Sequence, residues 1–118
     1  MKTTDEEYFR SCVAKERQLA KLLGHRNIEE CYESAGVLWD NTVALPQWTR
    51  DWNACGPLLS HFAISLDFSG GEGTVKAGDV LVRFADHPNR ERAIMCGVVK
   101  AVIHKLEHDA VLAHPVGA

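Results

Sequence analysis

The sequence predicts a single α+β domain in which a small antiparallel sheet packs between helices, as an α-β-α sandwich. Apolar residues recur at three- and four-residue steps near both ends of the chain, whereas they alternate with polar residues in the middle. The length of 118 residues is typical of one domain, and neither an internal repeat nor a linker divides residues 1–118. These three observations favour two outer helical segments with short strands between them.

The N-terminal region predicts a helix, a second short helical turn and then short strands. Residues 4–23 begin with a T-x-x-E capping box at Thr4 and continue with acidic residues, which the helix dipole favours at this end. An asparagine is expected to cap a helical turn over residues 27–34. Residues 36–47 fit either one or two short strands with a turn at residues 40–41, or a loop.

A middle helix is expected to run to about His61. Thr49 or Asp51 can cap it, because both side chains carry an oxygen that accepts a backbone amide hydrogen bond. Pro57 is tolerated if it falls in the first turn, and it kinks the helix if the helix begins earlier.

A hairpin and a long closing helix complete the expected fold. Residues 62–68 alternate apolar and polar, residues 69–73 are a glycine-rich loop, and residues 79–84 alternate again. The closing helix is expected over residues 88–108, with the hairpin packed against it. The core predicted from these patterns comprises Ile64, Leu66, Val80, Val82, Met95, Val99 and Val102.

Charge and cysteine usage restrict the function classes. The net charge is −3 and no run of basic residues is present, so neither nucleic-acid binding nor membrane binding is indicated. No CxxC pair occurs, and the N-terminal segment lacks the apolar stretch of a signal peptide. We therefore expect a cytoplasmic protein with four buried, reduced thiols, namely Cys12, Cys31, Cys55 and Cys96.

Two motifs have stronger structural than catalytic interpretations. His104 to His108 reads HKLEH, the pattern of inverted zinc peptidases, but only ten residues remain to supply a third ligand. Histidines in the last turn of a helix also complement its dipole without a metal. The loop over residues 69–73 lacks the Lys-Ser/Thr of a phosphate-binding loop and leads into a strand. No metal and no cofactor are expected.

The stretch WTRDWNACGP contains the candidate site residues, Trp48, Arg50, Asp51 and Trp52. The two tryptophans fit either an aromatic platform for a partner or wedges that close the core, and we expect Trp52 to be structural and Trp48 partly exposed. Asp51 fits a helix cap better than a catalytic base. An unrecognised enzyme site near Asp51 and Cys55 stays open as an alternative, with no histidine tied to either residue by spacing.

The segment LPQWTRDWNACGPLLSHFAISLDF resembles the central signature of the phage-type α-β-α sandwich domain, which includes the NinX-like small phage proteins. YFRSCVAKE resembles that family's opening helix and RERAIMCGVVKAVIHKLE its closing helix, so the likeness spans most of the chain. Where the family has Ser-Thr-Asp, this chain has Thr-Arg-Asp. The signature is carried by Pro46, Trp48, Thr49, Asp51, Gly56, Pro57, Leu58 and Leu59.

The resemblance implies a small phage or prophage protein that works inside a bacterial cell, with no established activity. Three hypotheses follow. The first is a non-enzymatic accessory protein that binds a host or phage macromolecule, the second is a small enzyme, and the third is a structural homo-oligomer. Exposed aromatic residues would favour the accessory protein. A pocket that contains Asp51 and a histidine with a perturbed pKa would favour the enzyme, and a large symmetric apolar interface would favour the homo-oligomer.

Overall fold

Three helices and six short strands make up residues 4–30 and 36–113, the part of the chain that this computed structural model describes. The strands form two antiparallel sheets, β1-β2-β3 and β4-β5-β6, and the α+β class is confirmed. The helices are α1 (Asp5–Leu22), α2 (Trp52–His61) and α3 (Arg90–Ala113). The strands are β1 (Ile28–Glu30), β2 (Leu38–Asp40), β3 (Val43–Ala44), β4 (Leu66–Asp67), β5 (Thr74–Ala77) and β6 (Val80–Arg83).

Helices α1 and α2 begin at the caps that the sequence indicates. Thr4 Oγ1 accepts the amide of Glu7 at 3.1 Å, and Asp51 Oδ1 accepts the amide of Asn53 at 2.9 Å. Each cap satisfies one backbone donor that lacks a partner in the first helical turn. Pro57 is the sixth residue of α2, beyond the first turn in which it is most easily accommodated.

The predicted helical turn over residues 27–34 is wrong. Residues 28–30 form strand β1, which pairs antiparallel with β2, and residues 31–35 lie outside the described residues. Strand pairing and the two hydrogen bonds that Arg10 donates to Glu30 outweigh the local capping signal. Of the two alternatives left open for residues 36–47, the structure has strands: β2 and β3 form a hairpin, in which Asn41 adopts the positive φ of 56° that asparagine tolerates.

The predicted strand over residues 62–68 is largely wrong, because only β4 at its end is extended. The amide of Phe62 bonds the carbonyl of Leu58, and Ala63 has a φ of 52°, so the chain is still leaving α2 when the apolar alternation begins. As a result Ile64 and Leu66 are half-buried at the edge of the core, rather than inside it as predicted.

The hairpin of the second sheet joins β5 to β6, a pairing that the sequence interpretation missed. It turns at Gly78, where φ is 58°, and β4 pairs with the far side of β5. Residues 74–77 follow a glycine-rich loop and include a lysine, which hides their strand character. The predicted strand at residues 79–84 is confirmed as β6.

Helix α3 covers one face of this hairpin. A Cβ added at Gly97 would lie 2.7 Å from a methyl of Val82, so glycine permits the close approach of helix and sheet. Helix α1 lies alongside α3 in the same direction, since Tyr8 contacts His87 and Gln18 contacts Glu107. Five predicted core residues are confirmed as buried: Val80, Val82, Met95, Val99 and Val102.

Candidate functional site

The two tryptophans of the predicted site take the opposite positions to those expected. Trp48 is only 5% exposed, whereas Trp52 is 40% exposed. Trp52 is the first residue of α2, whose buried face passes through Cys55 and Leu58 and so turns Trp52 towards solvent. Trp48 lies in the preceding turn and inserts into the core. The pair therefore does not form a joint aromatic platform.

Arg50 is used inside the protein. Glu16 is 1% exposed, and its carboxylate accepts hydrogen bonds from Arg50 Nη2 at 2.6 Å and Nε at 3.1 Å. The same carboxylate accepts the amide and hydroxyl of Thr49, while Arg50 also donates to the carbonyl of Gly36. This network satisfies a buried charge and joins α1 to the turn before α2, so it is structural.

The alternative enzyme site at Asp51 and Cys55 has no reactive arrangement. Asp51 caps α2, as predicted. Cys55 is fully buried with its sulfur directed at the carbonyl of Met95, and burial raises the pKa of its thiol to about 12. A protonated thiol without solvent access cannot meet a substrate, since the thiolate is the nucleophilic form.

The HKLEH motif does not form a metal centre. His104 Nδ1 lies 3.8 Å from Asp79 Oδ1, and Glu107 accepts a hydrogen bond from Gln18. Within residues 4–30 and 36–113 no group of three histidine, cysteine or acidic side chains is arranged to hold a metal ion. None of the helices over the same residues is long and apolar enough to cross a membrane.

A groove between α1 and β6, with α3 as its floor, brings together titratable residues that are distant in sequence. Its volume is about 290 Å³, near the lower limit for ligand pockets in proteins. We call it the α1–β6 groove. It is lined by Glu7, Tyr8, Ser11 and Lys15 of α1, Leu81, Val82 and Arg83 of β6, Asp86 and His87, and Cys96 and Lys100 of α3.

A tyrosine–histidine pair lines the groove. Tyr8 Oη is 2.5 Å from His87 Nδ1, with the two rings edge to face. Burial raises the pKa of Tyr8, and burial together with the charge of Lys100 lowers the pKa of His87, so both are neutral near pH 7. One hydrogen bond therefore joins the phenol to the imidazole, and either the phenol or Nδ1–H is its donor. In both cases Nδ1 of the histidine is engaged by Tyr8.

Two lysines also line the groove. Lys15 and Lys100 are both half-buried, and neither forms an ion pair with a carboxylate among the described residues. Both lie close enough to His87 and Cys96 to oppose positive charge on the histidine and to favour the thiolate of Cys96. Burial outweighs them and raises the pKa of Cys96, which stays a thiol.

The groove carries charged groups of both signs and is rich in hydrogen-bond donors. Glu7 and Asp86 are the sequence neighbours of Tyr8 and His87, and Lys15 follows Tyr8 by two helical turns, about 10 Å further along α1. The two ammonium groups suit an anionic group of a ligand. With the nearby thiol protonated and Nδ1 of the histidine engaged, the arrangement is suited to binding.

Sequence reasoning missed this site because its members meet only in the folded chain. Tyr8 and His87 are 79 positions apart. The one available signal was Lys100, a charged residue inside an otherwise apolar run of the closing helix.

Comparisons with known proteins give no relative for this chain. No family model matches it, and neither a curated protein nor a solved structure is similar enough to count as a match.

Proposed function

We propose that this chain is a phage- or prophage-encoded accessory protein that acts inside a bacterial cell by binding a macromolecular partner. The phage setting rests on the resemblance of residues 45–68 to the NinX-like signature. The binding role rests on the α1–β6 groove, and above all on Lys15 and Lys100, which are half-buried there without a described acidic partner.

The chemistry of the groove supports binding over catalysis. An enzyme of acid–base or nucleophilic type needs a group whose pKa is tuned to react near neutral pH. Here the raised pKa values of Tyr8 and Cys96 hold both groups protonated, and Nδ1 of the neutral His87 is engaged by Tyr8. What remains is a set of donors directed at an open groove.

Lys15 and Lys100 have no carboxylate partner among the described residues, so a bound anionic group would supply the counter-charge for their ammonium groups. A partner that supplies this charge gains affinity and specificity from the same contact. The partner is accordingly a protein with acidic residues, of host or phage origin.

The test is differential capture from a lysate of the host bacterium by the immobilised full chain. The K15A/K100A double variant removes the charge from the groove. The K21A/K76A double variant is the matched control, because Lys21 and Lys76 are exposed and lie outside the groove. We expect one protein to be captured by the wild type and the control and lost with K15A/K100A. Equal capture by all three would contradict the groove as the binding site.

A further inference from the structure

Strand β6 has an open hydrogen-bonding edge along the α1–β6 groove. The amide of Phe84 donates to the carbonyl of Gly73 at 2.9 Å, so these two residues are a hydrogen-bonded pair of the β5–β6 ladder. Such pairs recur at every second residue, so Val82 and Val80 direct their backbone groups at β5. The N–H and C=O groups of Leu81 and Arg83 therefore point away from β5, and none of the described strands lies on that side.

This edge has no proline and no lysine, two of the features that commonly keep an exposed strand from pairing with other chains. β6 is short and ends with the charged Arg83, but it begins with Val-Leu-Val, and Leu81 is 62% exposed. The opposite edge of the same sheet is β4, which has only two residues and carries Asp67. Of the two edges, β6 is therefore the one better suited to receive a partner strand.

We propose that the partner binds as an extended segment that adds a fourth strand to β6 and places an acidic side chain against Lys15 and Lys100. This inference rests on the proposed function and specifies how the same groove is used. The segment's backbone pairs with Leu81 and Arg83, and alternate side chains enter the groove. Strand addition supplies affinity through the main chain, while the two lysines select the acidic residue.

The dimensions and charges of the groove favour this occupant. A volume of about 290 Å³ accommodates the side chains of a short extended segment and not a folded second copy. β6 has four residues, so the added strand spans about 13 Å by the usual rise per residue. Glu7 and Asp86 also line the groove and disfavour a second acidic residue beside them, which favours a segment with a single acidic residue.

The test uses peptides selected on the immobilised wild-type chain from a random twelve-residue display library. We expect the selected peptides to share β-forming residues and one Asp or Glu at a fixed position. The best peptide is synthesised, and its Kd is measured by fluorescence anisotropy. L81P removes the outward amide, whereas L81T changes the side chain and keeps the amide. We expect about tenfold weaker binding for L81P and for K15A/K100A, and no more than about twofold change for L81T.

A second measurement keeps the test valid if L81P does not fold. Methyl groups are placed on single amides of the peptide, and the wild-type chain is used throughout. Strand addition predicts that methylation weakens binding at alternate positions only, those whose N–H donates to β6. Equal loss at every position, or no loss at any, would overturn it.

The remaining outcomes separate this inference from the proposed function. A partner captured through Lys15 and Lys100, with no peptide selected from the library, would retain the function and overturn strand addition. If the wild type is a dimer that L81P converts to a monomer, a second copy of the chain occupies β6, and the proposal of a partner segment at this edge is overturned. If neither capture nor peptide binding depends on the two lysines, both proposals fail.

Discussion

Arg50 Nη2 lies 2.6 Å from Glu16 Oε1 in an ion pair that is nearly closed to solvent. The pair joins the middle of α1 to the turn that precedes α2, and it places Trp48 of the same turn in the core. The WTRD motif is therefore an internal junction, and the groove proposed to bind a partner lies on another side of α1.

Replacing Glu16 by Ala should destabilise the domain by about 3–5 kcal/mol, because the Arg50 guanidinium would keep its burial and lose its counter-charge. Urea unfolding measures the change. The matched control is E30A, which removes the half-buried partner of the exposed Arg10 and should change stability little. Similar midpoints for E16A and wild type would show that the buried pair does not support the fold.

The two tryptophans should separate clearly in stability. Trp48→Ala empties a buried position and should cost about 3–5 kcal/mol, whereas Trp52→Ala should cost less than about 1 kcal/mol. Both values come from the same denaturant series. A large loss for Trp52→Ala with a small one for Trp48→Ala would reverse the assignment of core and surface.

Asp51 is expected to act as a cap and as nothing more. Asp51→Ala should cost about 1 kcal/mol because the amide of Asn53 loses its acceptor. Asp51→Asn should cost little, since its amide oxygen accepts the same bond. Partner capture by either variant should equal that of the wild type. If Asp51→Asn keeps full stability but loses capture, Asp51 instead has a charged recognition role.

His87 should make stability depend on pH. Burial and the charge of Lys100 are the largest causes that lower its folded pKa, and Lys15 and Arg92 lower it further. Asp86 raises the pKa, but by less than burial or Lys100 lowers it. The unfolded chain therefore binds the proton more readily, and His87 lowers stability as the pH falls below the ordinary histidine pKa of about 6.5. Thermal melts at pH 7.5 and 5.5 should show a larger loss for the wild type than for His87→Gln. Equal losses would mean that His87 is freely protonated in the folded chain.

The sequence predicted the elements whose signals are local. Thr4 and Asp51 were identified as caps because a capping residue acts within its own helical turn. The strand at residues 62–68 was assigned wrongly because alternation alone cannot show where α2 ends, and Ala63 with its positive φ still belongs to that helix end. Strand β1 was missed because its pairing with β2 depends on a tertiary contact, not on the propensity of Ile28–Glu30.

The candidate site was the part least accessible to sequence reasoning. The prediction that Trp52 is structural and Trp48 partly exposed was wrong for both residues, since the phase of α2 decides which one faces the core. The groove depends on α1 and α3 lying side by side in the same direction. That arrangement brings Tyr8 to His87 and Lys15 to Lys100, and no spacing in the chain encodes it.

Binding of a partner along β6 in the α1–β6 groove is tested most directly by amide hydrogen exchange with and without the captured partner. We expect the amides of Leu81 and Arg83 to exchange readily in the free protein and at least about tenfold more slowly in the complex. The amide of Leu66 on the opposite edge should not change. Unchanged exchange at Leu81 and Arg83, with protection elsewhere, would rule out strand addition at β6.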